Sequence, residues 1–159
     1  MEMENKIIPC LWFDGKAEEA ARFYVSVFKD SSIDSINYYG KEGYEIHRQK
    51  EGTVMTVEFR IFGQQYTALN GGPDFKFNES VSFQVLCDTQ DEIDYYWAKL
   101  ISDGGEESYC GWLKDKFGLS WQIVPTVLTE LMKDPELTGR VMNVFMQMKK
   151  LEIEKILKA

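Results

Sequence analysis

Histidine occurs once in this sequence, as His47, and cysteine three times, as Cys10, Cys87 and Cys110. Thiols that are odd in number and widely spaced form neither a disulfide framework nor a Cys-x-x-Cys metal site. A catalytic thiol needs a group that stabilises the thiolate, and His47 lies in a polar stretch between Gly40 and Gly52, so the cysteines read as reduced, half-buried thiols. No Lys/Arg-rich block occurs, and 18 basic against 26 acidic residues give a net charge of −8. This argues against nucleic acid as a partner, because phosphates need a concentrated basic face. No apolar run reaches the roughly 18 to 20 residues of a membrane span. The segment Met1 to Cys10 carries Glu2 and Glu4 instead of a basic stretch followed by an apolar one. A cytoplasmic protein with no membrane partner is expected. A Gly-x-Gly-x-x-Gly turn is also missing, and with it the usual cradle for a nucleoside cofactor.

What is present is an ordinary globular composition. With 159 residues, 44% hydrophobic and 28% charged, the chain suits one domain with a substantial core. Aromatic residues make up 14%, enough for a pocket that holds an organic ligand. The acidic charge tolerates cationic small molecules, although net charge of this size also serves solubility alone.

Along the chain, Ile7 to Phe13 is a short apolar run ended by Asp14-Gly15, which predicts a strand and a turn. From Ala17 to Phe28 the residues Ala20, Phe23, Tyr24, Val27 and Phe28 recur at spacings of three and four, the mark of a helix with one buried face. Ile33 to Tyr39 reads as a strand, Gly40 to Gly52 as a polar loop, and Val54 to Phe62 with Gln65 to Leu69 as a hairpin about Gly63. Asn70-Gly71-Gly72-Pro73 stops the chain. The order then recurs: Val81 to Cys87 as a strand, Asp88 to Ser102 as a helix, and Tyr109 to Lys116 with Ser120 to Val124 as a hairpin about Gly118. Beyond Pro125 the chain turns helical, with Asp134 as a cap, Pro135 at the first helical position and an apolar stripe of Leu137, Val141, Phe145 and Met148.

The two halves align residue by residue. Phe62-Gly63 matches Phe117-Gly118 at an offset of 118 − 63 = 55, and Asp14 with Glu18 matches Asp88 with Glu92 at 88 − 14 = 74. Internal duplication of this kind predicts an α+β fold of two βαβββ modules forming a curved mixed sheet around a cleft, with C-terminal helices. The expected boundaries are one domain over 1–159, with module one at about 5–72, module two at about 79–125 and the helical segment at about 126–158.

The segments Leu11 to Gly15, Phe23-Tyr24, Ala68 to Pro73, Cys110 to Pro125 and Gln147 to Leu151 closely resemble the PhnB-like proteins. These often carry the name 3-demethylubiquinone-9 3-methyltransferase domain and belong to the glyoxalase, bleomycin-resistance and dioxygenase (vicinal oxygen chelate) superfamily. The resemblance implies the paired βαβββ fold and a homodimer. It also implies four places where metal-dependent relatives keep their ligands, here occupied by Ile7, Thr67, Val81 and Gln122. None is a good ligand for a transition metal, and only Gln122 could coordinate weakly through its amide oxygen. No metal and no cofactor are expected.

Three functions remain in play. The first is binding of a small organic molecule in a cleft lined by Ile7, Thr67, Val81, Phe83 and Gln122, with Trp112 nearby. The second is the methyl transfer that the family name carries. The third is metal-free enzymology by the neighbouring Cys110, Lys114 and Asp115, although consecutive strand residues point to opposite faces. A homodimer is expected, and the stripe of the terminal helix packs either on its own subunit or across the dimer, where Phe145 would meet the interface.

Overall fold

In the computed structural model, which describes residues 5–159, the chain divides into two compact units. The first ends at Lys76 and the second runs from Phe77 to Ala159.

The first unit contains β1 (Cys10–Phe13), α1 (Ala17–Val27), β2 (Ser32–Tyr38), the one-turn α2 (Tyr44–His47), β3 (Val54–Ile61) and β4 (Gln64–Asn70). Its four-stranded sheet has the order β1-β4-β3-β2, with β1 parallel to β4 and the other pairs antiparallel. The alternation of β3 buries Val57, Phe59 and Ile61. Against them α1 lays Ala17, Ala20, Ala21 and Tyr24, all at 0% exposure, and the Tyr24 ring stacks on Phe59 at 6.1 Å. Three alanines let the helix approach closely, and each large ring buried in the seam contributes about 1.5–3 kcal/mol. The helix has no cap of its own, since Lys16 makes no capping bond. Asn70 at the end of β4 does that work: its Oδ1 accepts from the Ala17 N–H at 2.9 Å, and its Nδ2 donates to the Val54 carbonyl at 3.0 Å. The β3–β4 hairpin turns on Phe62 and Gly63, both at positive φ (49° and 76°), the geometry that matches the twist of a two-residue hairpin.

The second unit repeats the order with β5 (Ser82–Cys87), α3 (Gln90–Leu100), β6 (Glu106–Glu107), β7 (Trp112–Lys114) and β8 (Ser120–Pro125), in the sheet order β5-β8-β7-β6. Here the helix is capped locally. Thr89 accepts from the Glu92 N–H and the Glu92 carboxylate accepts from the Asp88 N–H, a reciprocal arrangement of capping-box type. The registers restate the duplication: Cys10 lies beside Thr67 and Gln84 beside Gln122. These pairs are separated by 84 − 10 = 74 and 122 − 67 = 55, the two offsets seen in the sequence.

Several expectations shift. The first strand begins at Cys10 instead of Ile7 because Pro9 has no N–H to give a ladder; its carbonyl still accepts from the Thr67 N–H at 2.9 Å. Val81 likewise precedes β5, and the polar loop holds the single turn α2. The predicted strand Tyr109 to Lys116 is only three residues long, and Glu106–Glu107 supplies the third strand that the βαβββ order requires and that the residue pattern leaves unassigned.

After β8 come α4 (Thr126–Leu131), α5 (Pro135–Phe145) and α6 (Ile153–Leu157). Asp134 caps α5 as expected, accepting from the Glu136 N–H at 2.9 Å. Val124, Leu128, Val141, Leu151 and Ile156 form one buried cluster, and Leu137, Phe145 and Met148 pack against it. The stripe of the terminal helix packs inside the second unit, with Val141 buried and Leu137, Phe145 and Met148 partly buried, because the chain folds back after Met148. The tail is held by main-chain bonds from Cys110 N and Gly111 N to the carbonyls of Met148 and Lys149. Gln90 adds a two-sided clasp, donating to the Leu151 carbonyl and accepting from the Ile153 N–H. Among the described residues no helix is long and apolar enough to cross a membrane.

Candidate functional site

Each sheet has one face against its helix, and the opposite face carries the polar side chains. In the first unit the register aligns Cys10, Thr67, Glu58 and Ser35 as one row on that opposite face. The Ser35 hydroxyl donates to Glu58 Oε2 at 2.9 Å. Cys10 is exposed, but partial desolvation on the sheet still pushes its thiol above the ordinary value. Trp12 stands one alternation further along, edge-on to Phe75 with ring centroids 4.9 Å apart, and donates its indole N–H to the Gly72 carbonyl at 2.8 Å. A Cβ on Gly71 would come within 2.3 Å of that indole ring. The glycine pair thus makes room for Trp12.

In the second unit the equivalent row is Gln84, Gln122 and Trp112, and beside it runs Ser82, Ser120, Lys114 and Glu106. The Gln122 amide donates to Ser82 Oγ at 2.7 Å and receives a long bond from Gln84 at 3.3 Å. A cavity of about 210 Å³ opens here, lined by Glu79, Glu106, Trp112, Lys114 and Ser120, with Glu107, Ser108 and Leu113 completing its wall. Lys114 is ion-paired with Glu79. The hydrogen bond between them raises the ammonium pKa and lowers that of the carboxyl, so both stay charged. Ser120 is 1% exposed, and its hydroxyl has no hydrogen-bond partner among the described residues. A buried polar group left unmatched costs about 1–3 kcal/mol.

Asp115 shows why the adjacent Lys114 and Asp115 have separate fates. Asp115 turns inward, 3% exposed, and accepts from the N–H groups of Phe117 and Leu119 and from the Trp121 indole at 2.8–3.1 Å. It shapes the hairpin, while Lys114 faces the cavity. Cys110 sits in the turn before β7, in contact with the Met146 carbonyl, so Cys110, Lys114 and Asp115 do not converge. His47 is also committed locally, with Nδ1 accepting from the Gln49 N–H and the ring 4.5 Å from Tyr39.

The six residues anticipated as ligand-binding are thus separated. Thr67 lies on the polar face of the first unit, and Gln122 and Trp112 share one row in the second. Ile7 and Val81 precede their strands, at 79% and 62% exposure, and the register puts Cys10 and Gln84 where they were expected. Phe83 pairs with Trp121 on the helix side, with ring centroids 5.6 Å apart, one residue out of phase with Gln84 and so on the other face from Gln122. Cys10, Glu58, Gln84, Ser120 and Glu106 were not anticipated as site residues.

The donors present do not suit a transition metal. The second unit offers two glutamines at the relevant row. The first offers a threonine hydroxyl between Cys10 and Glu58, which are two strand spacings, about 9–10 Å, apart. Among the described residues no group of three or more His, Cys, Asp or Glu side chains is arranged to hold a metal ion. Such ions prefer imidazole, thiolate or carboxylate in a compact set.

The family model for 3-demethylubiquinone-9 3-methyltransferase matches residues 5–124. The chain belongs to this PhnB-like family. Among solved structures, the PhnB protein from Bacillus cereus is 37% identical, matching 77% of this chain and 100% of its own, with a TM-score of 0.67. The protein PA1353 from Pseudomonas aeruginosa shares the fold at 17% identity over 77% of this chain and 98% of its own, with a TM-score of 0.61. So does the fosfomycin resistance protein FosX from Mesorhizobium loti, at 14% identity over 84% of this chain and 100% of its own, with a TM-score of 0.57. Among curated proteins none matches. This PhnB-like chain therefore has the glyoxalase/bleomycin-resistance fold of the vicinal oxygen chelate superfamily. The match to the family model ends at Val124, so the likeness drawn at Gln147 to Leu151 and the whole helical segment fall outside it.

Proposed function

We propose that this PhnB-like protein binds a small organic molecule without a metal ion, acting as one functional domain of two modules, in the cytoplasm, as a homodimer. The observation that carries this reading is the cavity of about 210 Å³ in the second unit, where an apolar wall, Trp112, meets an ion pair and the unmatched hydroxyl of Ser120. Apolar surface with a few directional polar groups is what holds an organic ligand. Gln122, bonded to Ser82, lies beside Trp112 on the ladder, and Thr67 takes the corresponding place in the first unit. The volume suits a compound smaller than a drug. Against the methyl transfer in the family description stands the use of the glycines. Gly71 and Gly72 seat Trp12, and Gly104-Gly105 follow α3 instead of opening a helix.

A thermal-shift screen of metabolite-sized compounds on the full chain, with and without Zn, Ni, Mn or Fe, tests the reading. Stabilisation by one compound class, independent of added metal and of chelator, is the expected result. One tightly held metal per chain by elemental analysis, or ligand binding that requires metal, would overturn it. Saturable micromolar binding of S-adenosylmethionine in a calorimetric titration would restore the methyltransferase reading.

A further inference from the structure

Three carboxylates, Glu79, Glu106 and Glu107, and one ammonium, Lys114, line the cavity of the second unit, so its wall carries a net negative charge. They are not equivalent. Lys114 neutralises Glu79 by direct pairing, and Glu107 accepts the Trp97 indole N–H at 2.8 Å. The carboxylate of Glu106, across the ladder from Lys114, makes no side-chain hydrogen bond among the described residues, although its charge helps to raise the Lys114 pKa. Ser120 sits on the same row beside Lys114 in the cavity wall, 1% exposed, with a hydroxyl that no described residue satisfies. Trp112 provides an aromatic surface next to these groups.

We infer that the cavity selects a small organic cation, an amine or amidine on a compact apolar body, with Glu106 as its counter-ion, Ser120 Oγ accepting one of its N–H groups and Trp112 covering its apolar part. This rests on the small-molecule-binding reading above and adds the charge of the ligand. The physical argument has three parts. A cation brings donors, and an orphaned buried hydroxyl oxygen gains most from a charged donor. The one carboxylate without a hydrogen bond gains a partner, whereas an anion would have to displace Glu79 from Lys114 in a field that is already negative. The indole face attracts cations in its own right.

Benzylammonium, benzyl alcohol and benzoate have nearly the same size and differ in charge, so the three together test the inference by calorimetry or by shifts of the Trp112 indole signal. Benzylammonium is expected to bind at least about tenfold more tightly than benzyl alcohol, and benzoate most weakly. Glu106→Gln, at an exposed position in a two-residue strand, should abolish the preference for benzylammonium over benzyl alcohol. Ser120→Ala should weaken benzylammonium without loss of stability, because it removes an unsatisfied group. Lys114→Gln should tighten it. Equal or tighter binding of benzyl alcohol or benzoate, or indifference of the benzylammonium affinity to Glu106→Gln, overturns the inference and leaves the small-molecule reading standing. Failure of all three compounds while the unbiased screen finds a ligand does the same. Failure of the screen as well removes both.

Discussion

The two units start their helices in opposite ways. In the second, Thr89 and Glu92 cap α3 from within four residues of its start. In the first, α1 begins without a local cap and depends on Asn70, 53 positions further on. The strand registers meanwhile coincide at both offsets, Cys10 with Thr67 and Gln84 with Gln122. Repetition of the fold therefore resides in the ladders, where backbone groups do the bonding and side chains are interchangeable. Caps and polar faces, which depend on particular side chains, have settled differently in each unit. The same holds at the sheet surface: Glu58 with Ser35 occupies in the first unit the place that Trp112 holds in the second.

Breaking the contrast at its largest means removing what only the second unit has. Leu151 is fully buried in the cluster that covers Val124, and Leu151→Ala should destabilise the second unit by about 3 kcal/mol. Hydrogen exchange should localise the loss to that unit, with β1–β4 amides unaffected. Asn70→Ala leaves the Ala17 N–H and the Val54 carbonyl without partners, at a cost of about 2–3 kcal/mol confined to the first unit. Thr89→Ala, its local counterpart, should cost only about 1 kcal/mol. Urea titrations of the pair would reverse the comparison if the Thr89 variant proved the weaker.

The smallest effect needs no mutation. Burial pushes the Cys87 thiol up to about 12 from an ordinary 9.0, with the charges of Glu92 and Asp88 adding to it, whereas Cys10 lies exposed. At pH 8 iodoacetamide should label Cys10 well before Cys87, as read by peptide mass spectrometry. Because the folded pKa is the higher one, the stability that Cys87 contributes is complete below about pH 9 and is lost as pH rises toward 12. Labelling of Cys87 at the rate of Cys10 would mean that the second unit opens freely.

The βαβββ order was legible because Val54 to Phe62 alternates and because Phe-Gly turns recur at a fixed offset. The site was legible only by halves. Ile7, Thr67, Val81 and Gln122 were all placed by analogy with relatives; Thr67 and Gln122 lie on β4 and β8, whereas Ile7 and Val81 precede their strands and Pro9 delays the first ladder to Cys10. Phe83 shares its parity with the buried Val85 and Cys87, so counting back from those two puts Gln84, not Phe83, on the polar face. Ser120 and Asn70 carried no such signal. Whether a small polar side chain ends up orphaned or capping a distant helix is decided by contacts across dozens of positions, and local pattern is blind to them.

The clasp of Gln90 on the tail also sets a timetable. Chains emerge from the ribosome starting at the N-terminus and fold as their contacts become available. Every contact internal to the first unit is available once Lys76 has emerged. Gln90, in contrast, must wait for partners 61 and 63 positions downstream before its amide is satisfied and the Val124 cluster is closed. During synthesis the first unit can be finished while the second still exposes apolar surface, and that interval is when a nascent chain of this protein is most in need of a chaperone.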